Sequence, residues 1–363
     1  MVSLFWSRLF IGLIVFTCTE IFAGSSAGSR LFTPWTFLVT YWLYFAHFFF
    51  FASLAYYTNR TSIRSLYLWG VLFGLYESWV TKVVWFGYAV DGAREYPTSC
   101  VIQNTDGTTP SFIMDTIGYN YGFCLQESFS MVFFWHPIFG FLIPLTAVLI
   151  FEPRLRESFQ GLSWFQLETR SDKFMFLFII LLIGSVLGMN SGGPHWAIIT
   201  WIPVLAVLWL GYRDLVPTWQ ELEEPEHLVV LSSRGFKIAT VYLFILYTSF
   251  YFIVFPYNET EVLGLDEPVL PGTPQKLIVF ILYLITLSLI YFRGKPAPAL
   301  SVHNTELEKK NMFRGLRGIV LLSTVMSAAL ILLPPLLVAV LILFILLPVV
   351  SVGLFLRHSL YWR

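Results

Sequence analysis

The chain is poor in charged residues, and this deficiency decides its class. Only 12% of its 363 residues are charged, whereas ordinary soluble domains have about 25%. In contrast, 57% are hydrophobic, 18% are aromatic and the mean hydropathy is +0.72. The composition therefore predicts an integral membrane protein whose first partner is the lipid bilayer.

Several functional motifs are also missing. The sequence has no phosphate-binding loop, dinucleotide fingerprint, serine nucleophile elbow or HExxH zinc motif. Its 22 Lys and Arg balance 22 Asp and Glu, so the net charge gives no reason to expect a nucleic-acid partner. We accordingly expect no cofactor and no resident metal.

Long apolar runs are abundant. A spanning helix needs roughly 20 apolar residues, and about ten stretches of the sequence meet that length: 4–24, 33–57, 66–90, 128–151, 174–190, 194–212, 236–256, 276–292, 318–334 and 336–356. Pro334 and Pro335 divide the last two, because proline removes a backbone donor and clashes with the preceding turn. We predict an all-α, polytopic transmembrane bundle that forms one multi-pass domain over residues 1–363.

The basic residues predict the orientation of the bundle. If the N-terminus is inside, 18 of the 22 Lys and Arg lie in inner segments and 3 in outer ones, with Lys82 inside the bilayer. Positive loops stay on the cytoplasmic side. The sequence therefore predicts an N-in, C-in topology in the cell membrane.

The longest outer loop, 91–127, holds two of the three cysteines. Cys100 and Cys124 would face an oxidising exterior, which favours a disulfide, although two free thiols are the alternative. The loop itself is either a folded cap over the outer face or an ordered but inert connection. Asn258, in the sequence NET, is a candidate glycosylation site in another outer loop.

Ionisable residues inside the apolar runs are the candidates for chemistry. A charge at the bilayer centre costs about 2.5 to 3.5 kcal/mol on insertion scales, so each one needs a partner or a cavity. The predicted spans place Glu77 near mid-depth and four other groups in the outer half, namely Glu20, Lys82, His136 and His195. Spans one to six would therefore carry a polar site, while spans seven to ten form a more apolar half.

Helix geometry indicates where Glu77 points. At about 100° per residue, Gly70, Gly74 and Glu77 share one stripe, whereas Lys82 lies on another stripe roughly 140° away. Lys82 is therefore not expected to neutralise Glu77 directly. The pair Gly70 and Gly74 allows another helix to approach closely, so we expect Glu77 to face the inside of the bundle.

The segment ESWVTK, Glu77 to Lys82, resembles the EExxxR motif of the CAAX prenyl protease and bacteriocin-processing (CPBP) family of intramembrane proteases. Ser78 stands where that motif has its second glutamate. His136, in FFWHP, and His195, in GPHWA, follow in the order in which the family places its later histidines.

The resemblance implies catalytic roles for three residues. Glu77 would be the general base that activates water, and His136 and His195 would hold the water or the oxyanion. Supporting positions would be occupied by Lys82, Glu20, Ser78 and Asn190. A zinc ion held by Glu77, His136 and His195 is an alternative way to activate water.

Three classes of function remain open. The leading hypothesis is an intramembrane hydrolase with an outward-facing site and a membrane-embedded peptide or lipid substrate. A transporter or proton-coupled carrier is the second, and it requires a path across the bilayer. A non-catalytic structural or assembly protein is the third, in which the buried charges only pair with neighbouring helices.

Overall fold

A computed structural model describes residues 4–22, 31–78, 80, 97–98, 101–102, 128–162, 194–254 and 273–293. Seven long helices, named here α1 to α7, account for most of these residues. The structure divides into two compact units. The first holds the described residues within Met1–Tyr67 and Ile138–Ala239, and the second holds those within Leu68–Pro137 and Thr240–Arg293.

Five of the helices combine an α-helical part with a π-helical part. These are α1 (Leu4–Phe16, then Thr17–Ile21), α2 (Thr36–Thr40, then Tyr41–Tyr57), α4 (Ser128–Leu142, then Ile143–Phe151), α6 (Ser233–Ser249, then Phe250–Val254) and α7 (Thr273–Ser288, then Leu289–Arg293). In α1, the hydroxyl of Thr19 donates to the Val15 carbonyl at 2.7 Å. The Thr19 side chain therefore donates a hydrogen bond to a backbone carbonyl close to the residue at which the helix changes from α to π.

The other elements are shorter or regular. Helix α3 is α-helical over Ile63–Gly74 and tightens to a 3₁₀ turn over Leu75–Ser78, while α5 spans Pro194–Asp214. One-turn elements follow α4 and α5, at Pro153–Arg156, Gln160–Leu162, Val216–Trp219 and Pro225–Leu228. Two strands of two residues each, Pro97–Thr98 and Val101–Ile102, pair antiparallel. The regular elements of the described chain are thus helical except for this short ladder, which lies in the predicted outer loop 91–127.

Among the described residues, four helical segments are long and apolar enough to cross a membrane: Leu4–Ile21, Thr36–Tyr57, Met131–Phe151 and Pro225–Ile253. They correspond to four of the ten predicted spans. A shorter apolar helix, Lys276–Phe292, corresponds to a fifth, and α5 coincides with the predicted span 194–212. The predicted span 66–90 is helical as far as Ser78. Spans 174–190, 318–334 and 336–356 lie outside the described residues, so the count of ten stays a prediction.

Large apolar side chains are exposed along α5, α6 and α7, as expected of surfaces that face lipid. They include Trp209, Phe244, Phe252, Phe280 and Phe292.

Trp219 anchors the core of the first unit. Its ring is fully buried. The centroid of this ring lies 6.2 Å from the ring centroid of Phe10 in α1 and 6.5 Å from that of Phe151 in α4. Its indole N–H donates to the Ser7 hydroxyl at 3.0 Å. The indole therefore buries a large apolar surface while its one donor remains satisfied.

Side chains from helix ends hold the segment that follows Trp219. Arg8 of α1 donates to the carbonyls of His227 and Val230 at 2.7 and 2.8 Å. At the far end of α2, the Tyr57 hydroxyl donates to the Leu231 carbonyl, and Ser53 accepts from the Leu231 N–H at 2.8 Å. The start of α1 and the end of α2 thus meet the same loop.

A buried carboxylate organises the chain after α4. Glu152 is fully buried, and the Arg154 guanidinium donates two hydrogen bonds to its carboxylate, with nitrogen–oxygen distances of 2.7 and 3.0 Å. The same guanidinium donates to the carbonyls of Trp219 and Leu222 at 2.8 Å each. Hydrogen bonds to Glu152 raise the pKa of the Arg154 guanidinium, so the arginine stays charged.

These contacts bring together the predicted inner loops of the first unit. The start of α1, the ends of α2, α4 and α5 and the start of α6 are linked by the hydrogen bonds of Arg8, Tyr57 and Arg154, and the Gly161 N–H donates to the Thr61 carbonyl at 2.9 Å. If successive spans cross the membrane in alternating directions, these helix ends must lie on the same side of the membrane. The side of the membrane on which they lie stays a prediction.

In the second unit, two glycines allow α3 to press against α4. A Cβ added at Gly70 would lie 2.5 Å from Pro137 Cα, and one added at Gly74 would lie 2.9 Å from Val132 Cα. Both neighbours are backbone atoms, which cannot rotate away. The approach expected from the spacing of Gly70 and Gly74 is therefore present.

We expect Gly70→Ala to destabilise the protein by about 1 to 3 kcal/mol, because the added methyl overpacks a closed backbone contact. The measurement is the free energy of unfolding of purified protein in detergent micelles. Gly235→Ala is the matched control, since its added Cβ would meet its neighbours at ordinary distances of 3.4 to 3.6 Å. Equal stability of the Gly70 variant and the control would contradict the packing described.

Arg154→Gln should lower the unfolding temperature, because it leaves the buried Glu152 carboxylate without its charged partner. Arg213→Gln is the control, since Arg213 pairs with Asp214 where both side chains are about half exposed and such pairs contribute little. Thermal unfolding of the two variants compares them directly. The same unfolding temperature for both would show that Arg154 does not organise this loop.

Candidate functional site

The candidate site begins where α3 tightens. The 3₁₀ turn Leu75–Ser78 carries Tyr76, Glu77 and Ser78, and all three side chains are buried. The Ser78 hydroxyl donates to the Leu75 carbonyl at 2.5 Å, and the Val80 N–H donates to the Tyr76 carbonyl at 2.8 Å. These bonds hold the turn that carries Glu77. The turn as a whole also lies against α7.

His136 lies on the π-helical part of α4, directly before Pro137. Proline has no N–H to donate, so it leaves a carbonyl of the preceding turn without its helical partner. Wide helical turns of this kind are frequent at functional sites. Gly74 lies against this turn, where its added Cβ would be 3.1 Å from His136 Cβ.

The two helices bring Glu77 and His136 into contact. Glu77 Oε1 lies 3.3 Å from His136 Nε2, and the Tyr76 hydroxyl lies 3.2 Å from the same nitrogen. The other ring nitrogen, Nδ1, lies 3.0 Å from the Met131 carbonyl. Relative exposures of 2% for Tyr76 and 1% each for Glu77 and His136 place the cluster inside the protein.

The hydrogen-bond partners determine how protons are arranged. A carbonyl can only accept, so Nδ1 of His136 must carry a proton that it donates to Met131. In the neutral imidazole, Nε2 then has a lone pair, and the Glu77–His136 contact requires a protonated Glu77. In the imidazolium form, Nε2 donates to a Glu77 carboxylate. Both arrangements are neutral overall, and they differ only in the position of one shared proton.

Aromatic rings surround this polar pair. The Tyr76 ring meets the His136 imidazole edge to face, with centroids 5.0 Å apart, and the Phe73 ring centroid lies 5.5 Å from the imidazole. Hydrogen bonds in such low-dielectric surroundings are stronger than in water, and leaving one unmade costs more. The arrangement can therefore bind, hold and transfer one proton.

The remaining predicted site residues have different positions. Glu20 is buried in the first unit, where its Oε1 accepts from the Tyr44 hydroxyl at 2.5 Å. His195 lies in the first turn of α5, but its side chain is outside the described residues. So are Lys82, Asn190, Cys100, Cys124 and Asn258. The disulfide, the glycosylation site and the roles of Lys82, Asn190 and His195 stay predictions.

Sequence reasoning missed two hydrogen-bond partners: Tyr76, which contacts His136, and Tyr44, which contacts Glu20. Neighbours in an α-helix point about 100° apart, so the helical pattern did not join Tyr76 to the side of Glu77. The adjacency of Tyr76 to Glu77 in YESW was the available signal. For Tyr44, the 24 residues that separate it from Glu20 hid the contact.

Among the described residues, no three His, Cys, Asp or Glu side chains come together as metal ligands do. Glu77 and His136 supply two donors of the kinds that zinc accepts. The side chain of the third predicted ligand, His195, lies outside the described residues, so the zinc alternative stays a prediction.

Comparison with known proteins identifies the lineage. The model of an uncharacterized membrane protein family matches residues 9–360. The chain belongs to this family. An uncharacterized protein of Archaeoglobus fulgidus is 24% identical over 249 residues, which cover 68% of this chain and 67% of that protein. No solved structure matches.

The family match supports a membrane location, in agreement with the apolar helices. Neither match carries the name of the CPBP proteases, so that resemblance rests on the motif residues alone.

A double-mutant cycle should detect the contact between Glu77 and His136. We expect Glu77→Leu and His136→Phe each to cost about 1 to 3 kcal/mol, because each leaves a buried polar partner unsatisfied. The double variant should cost less than the sum of the two, with a coupling of about 0.5 to 3 kcal/mol. Unfolding titrations in mixed micelles provide the four free energies. Strictly additive costs would show that the two side chains do not interact.

Proposed function

We propose that the chain is an intramembrane hydrolase in which Glu77 acts as general base and His136 assists it. The observation that supports this proposal best is the 3.3 Å contact between Glu77 Oε1 and His136 Nε2, made inside an apolar bundle by residues on two different helices. A buried ionisable pair that faces neighbouring helices is the usual form of an intramembrane functional site.

The reaction follows from the shared proton. With the proton on His136, Glu77 is a carboxylate and can accept a proton from a water molecule. The resulting hydroxide forms a C–O bond to the substrate carbonyl, and the proton taken up by Glu77 passes to the departing amine or alcohol when the scissile bond breaks. A carboxylate in apolar surroundings is a stronger base than the same group in water.

The resemblance to the CPBP proteases supports the same assignment. In both, a motif glutamate is followed by histidines on later helices, and His136 is the histidine that lies next to Glu77 here. Lys82 and Ser78 would support the site. The substrate would be a peptide or lipid embedded in the cell membrane, reached from the outer side of an N-in, C-in bundle.

A proton-coupled carrier is the second candidate. A pair that holds one exchangeable proton, with each residue about 1% exposed, also fits a protein that carries a proton between two sides of a membrane. This function requires a change of access around Glu77, and it predicts no hydrolysed product.

The test uses purified protein in liposomes with two probes, an internally quenched apolar peptide and a fluorogenic phospholipid ester. We expect one probe to be hydrolysed, with ¹⁸O from labelled water in the product carboxyl group. Glu77→Gln should lower the rate by about a hundredfold or more, the range lost when a general base is removed.

Glu223→Gln is the control, because Glu223 is exposed and lies in the loop before α6. It should leave the rate unchanged. Hydrolysis that survives Glu77→Gln would refute the assigned base. A pH-sensitive dye inside the liposomes reports proton uptake. If no probe is hydrolysed but the protein takes up protons, and Glu77→Gln abolishes that uptake, the result would favour the carrier.

A further inference from the structure

In the candidate site, the hydroxyl group of Tyr76 and the carboxyl group of Glu77 compete for one nitrogen of His136. The Tyr76 hydroxyl lies 3.2 Å and Glu77 Oε1 3.3 Å from His136 Nε2. That nitrogen has either one lone pair or one proton, so it makes one good hydrogen bond at a time. The Nδ1 proton is already directed to the Met131 carbonyl, which leaves Nε2 as the variable position.

We propose that Tyr76 is a positioning residue that determines whether Glu77 or His136 holds the shared proton. The proposal rests on the function proposed above, since it describes how the base of that site is held inactive or made ready. It assigns a role to a tyrosine that neither the motif nor the helical pattern indicated.

The two states differ in the position of one proton and in the hydrogen bonds made by Nε2 and by the Tyr76 hydroxyl. In the first, the Tyr76 hydroxyl donates to the Nε2 lone pair, His136 is neutral and Glu77 keeps its proton. In the second, that proton has moved from Glu77 Oε1 to Nε2, the Nε2–H bond points to the Glu77 carboxylate, and the Tyr76 hydroxyl turns to another acceptor. The only covalent change is that the O–H bond of Glu77 breaks and the N–H bond of Nε2 forms.

Only the second state has a carboxylate that can act as a base. The bond from Tyr76 stabilises the first state, because it satisfies the lone pair that a proton would otherwise occupy. A substrate group that accepts a hydrogen bond from Tyr76, such as an amide or ester carbonyl, would release Nε2. Arrival of such a group would then be coupled to the appearance of the base.

Histidine ¹⁵N spectroscopy of full-length protein in lipid bilayers distinguishes the two states, because a nitrogen with a lone pair and a protonated nitrogen resonate far apart. The chain has six histidines, and the signals absent from the His136→Gln variant identify those of His136. Spectra are recorded without substrate and at one pH, so the measurement does not depend on activity.

Tyr76→Phe keeps the ring that packs on His136 and removes only the hydroxyl. We expect the share of the His136 signal in the imidazolium form to rise relative to the wild-type protein. An unchanged spectrum, or a shift towards the neutral form, would overturn the proposal. Tyr44→Phe is the matched control, since its buried hydroxyl donates to Glu20 and its removal should leave the His136 signals in place.

A second variant with the opposite expected effect tests the proposal even if Tyr76→Phe does not fold. Incorporation of 3-fluorotyrosine at position 76 makes the hydroxyl a stronger donor while the side chain keeps nearly its size, so the neutral form of His136 should increase. A shift in the same direction as Tyr76→Phe would contradict the assigned role.

If the spectra respond as expected but Glu77→Gln does not affect hydrolysis, the hydrolase proposal fails and the role of Tyr76 in placing the proton stands.

Discussion

A carboxylate inside an apolar bundle is tolerated only if its partner comes close, and the contact between Glu77 and His136 meets this requirement. That contact depends on how near α3 and α4 can approach each other. Gly70 and Gly74 provide the approach, since any side chain there would meet the backbone of Pro137 and Val132. The wide helical turn at Pro137 and the 3₁₀ turn at Leu75–Ser78 then direct His136 and Glu77 towards each other. Backbone packing therefore sets the chemistry that the pair can perform.

The first unit uses its polar residues differently. Arg8, Tyr57 and Arg154 donate to backbone carbonyls of the segment 219–231, and Glu152 is buried with its charge matched by Arg154. Apolar helices give little directional information, because many relative orientations bury similar surface. Hydrogen bonds to particular carbonyls select one arrangement of the helix ends. One unit thus uses charge to fix structure, while the other holds a buried carboxyl–imidazole pair.

The sequence predicted the general architecture and part of the site, for physical reasons that particular residues illustrate. Apolar length identified α1, α2, α4 and α6 as candidate spans, since a span needs a minimum number of apolar residues. The spacing of Gly70, Gly74 and Glu77 predicted that Glu77 faces another helix. Periodicity at 100° per residue could not predict the π-helical turn around His136, the 3₁₀ turn at Glu77 or the two-residue strands. The contacts of Tyr76 with His136 and of Tyr44 with Glu20 are set by tertiary packing.

The most direct test of this account is the distance between the Glu77 carboxyl group and the His136 imidazole in a lipid bilayer. Solid-state NMR can measure the dipolar coupling between ¹³C in the glutamate carboxyl group and ¹⁵N in histidine, with Glu77→Gln and His136→Gln used to identify the signals. The account predicts a strong coupling to Nε2, as expected for a carboxyl carbon one bond beyond an oxygen–nitrogen contact of 3.3 Å. A coupling too weak to detect, in protein that is folded and embedded in the bilayer, would contradict it.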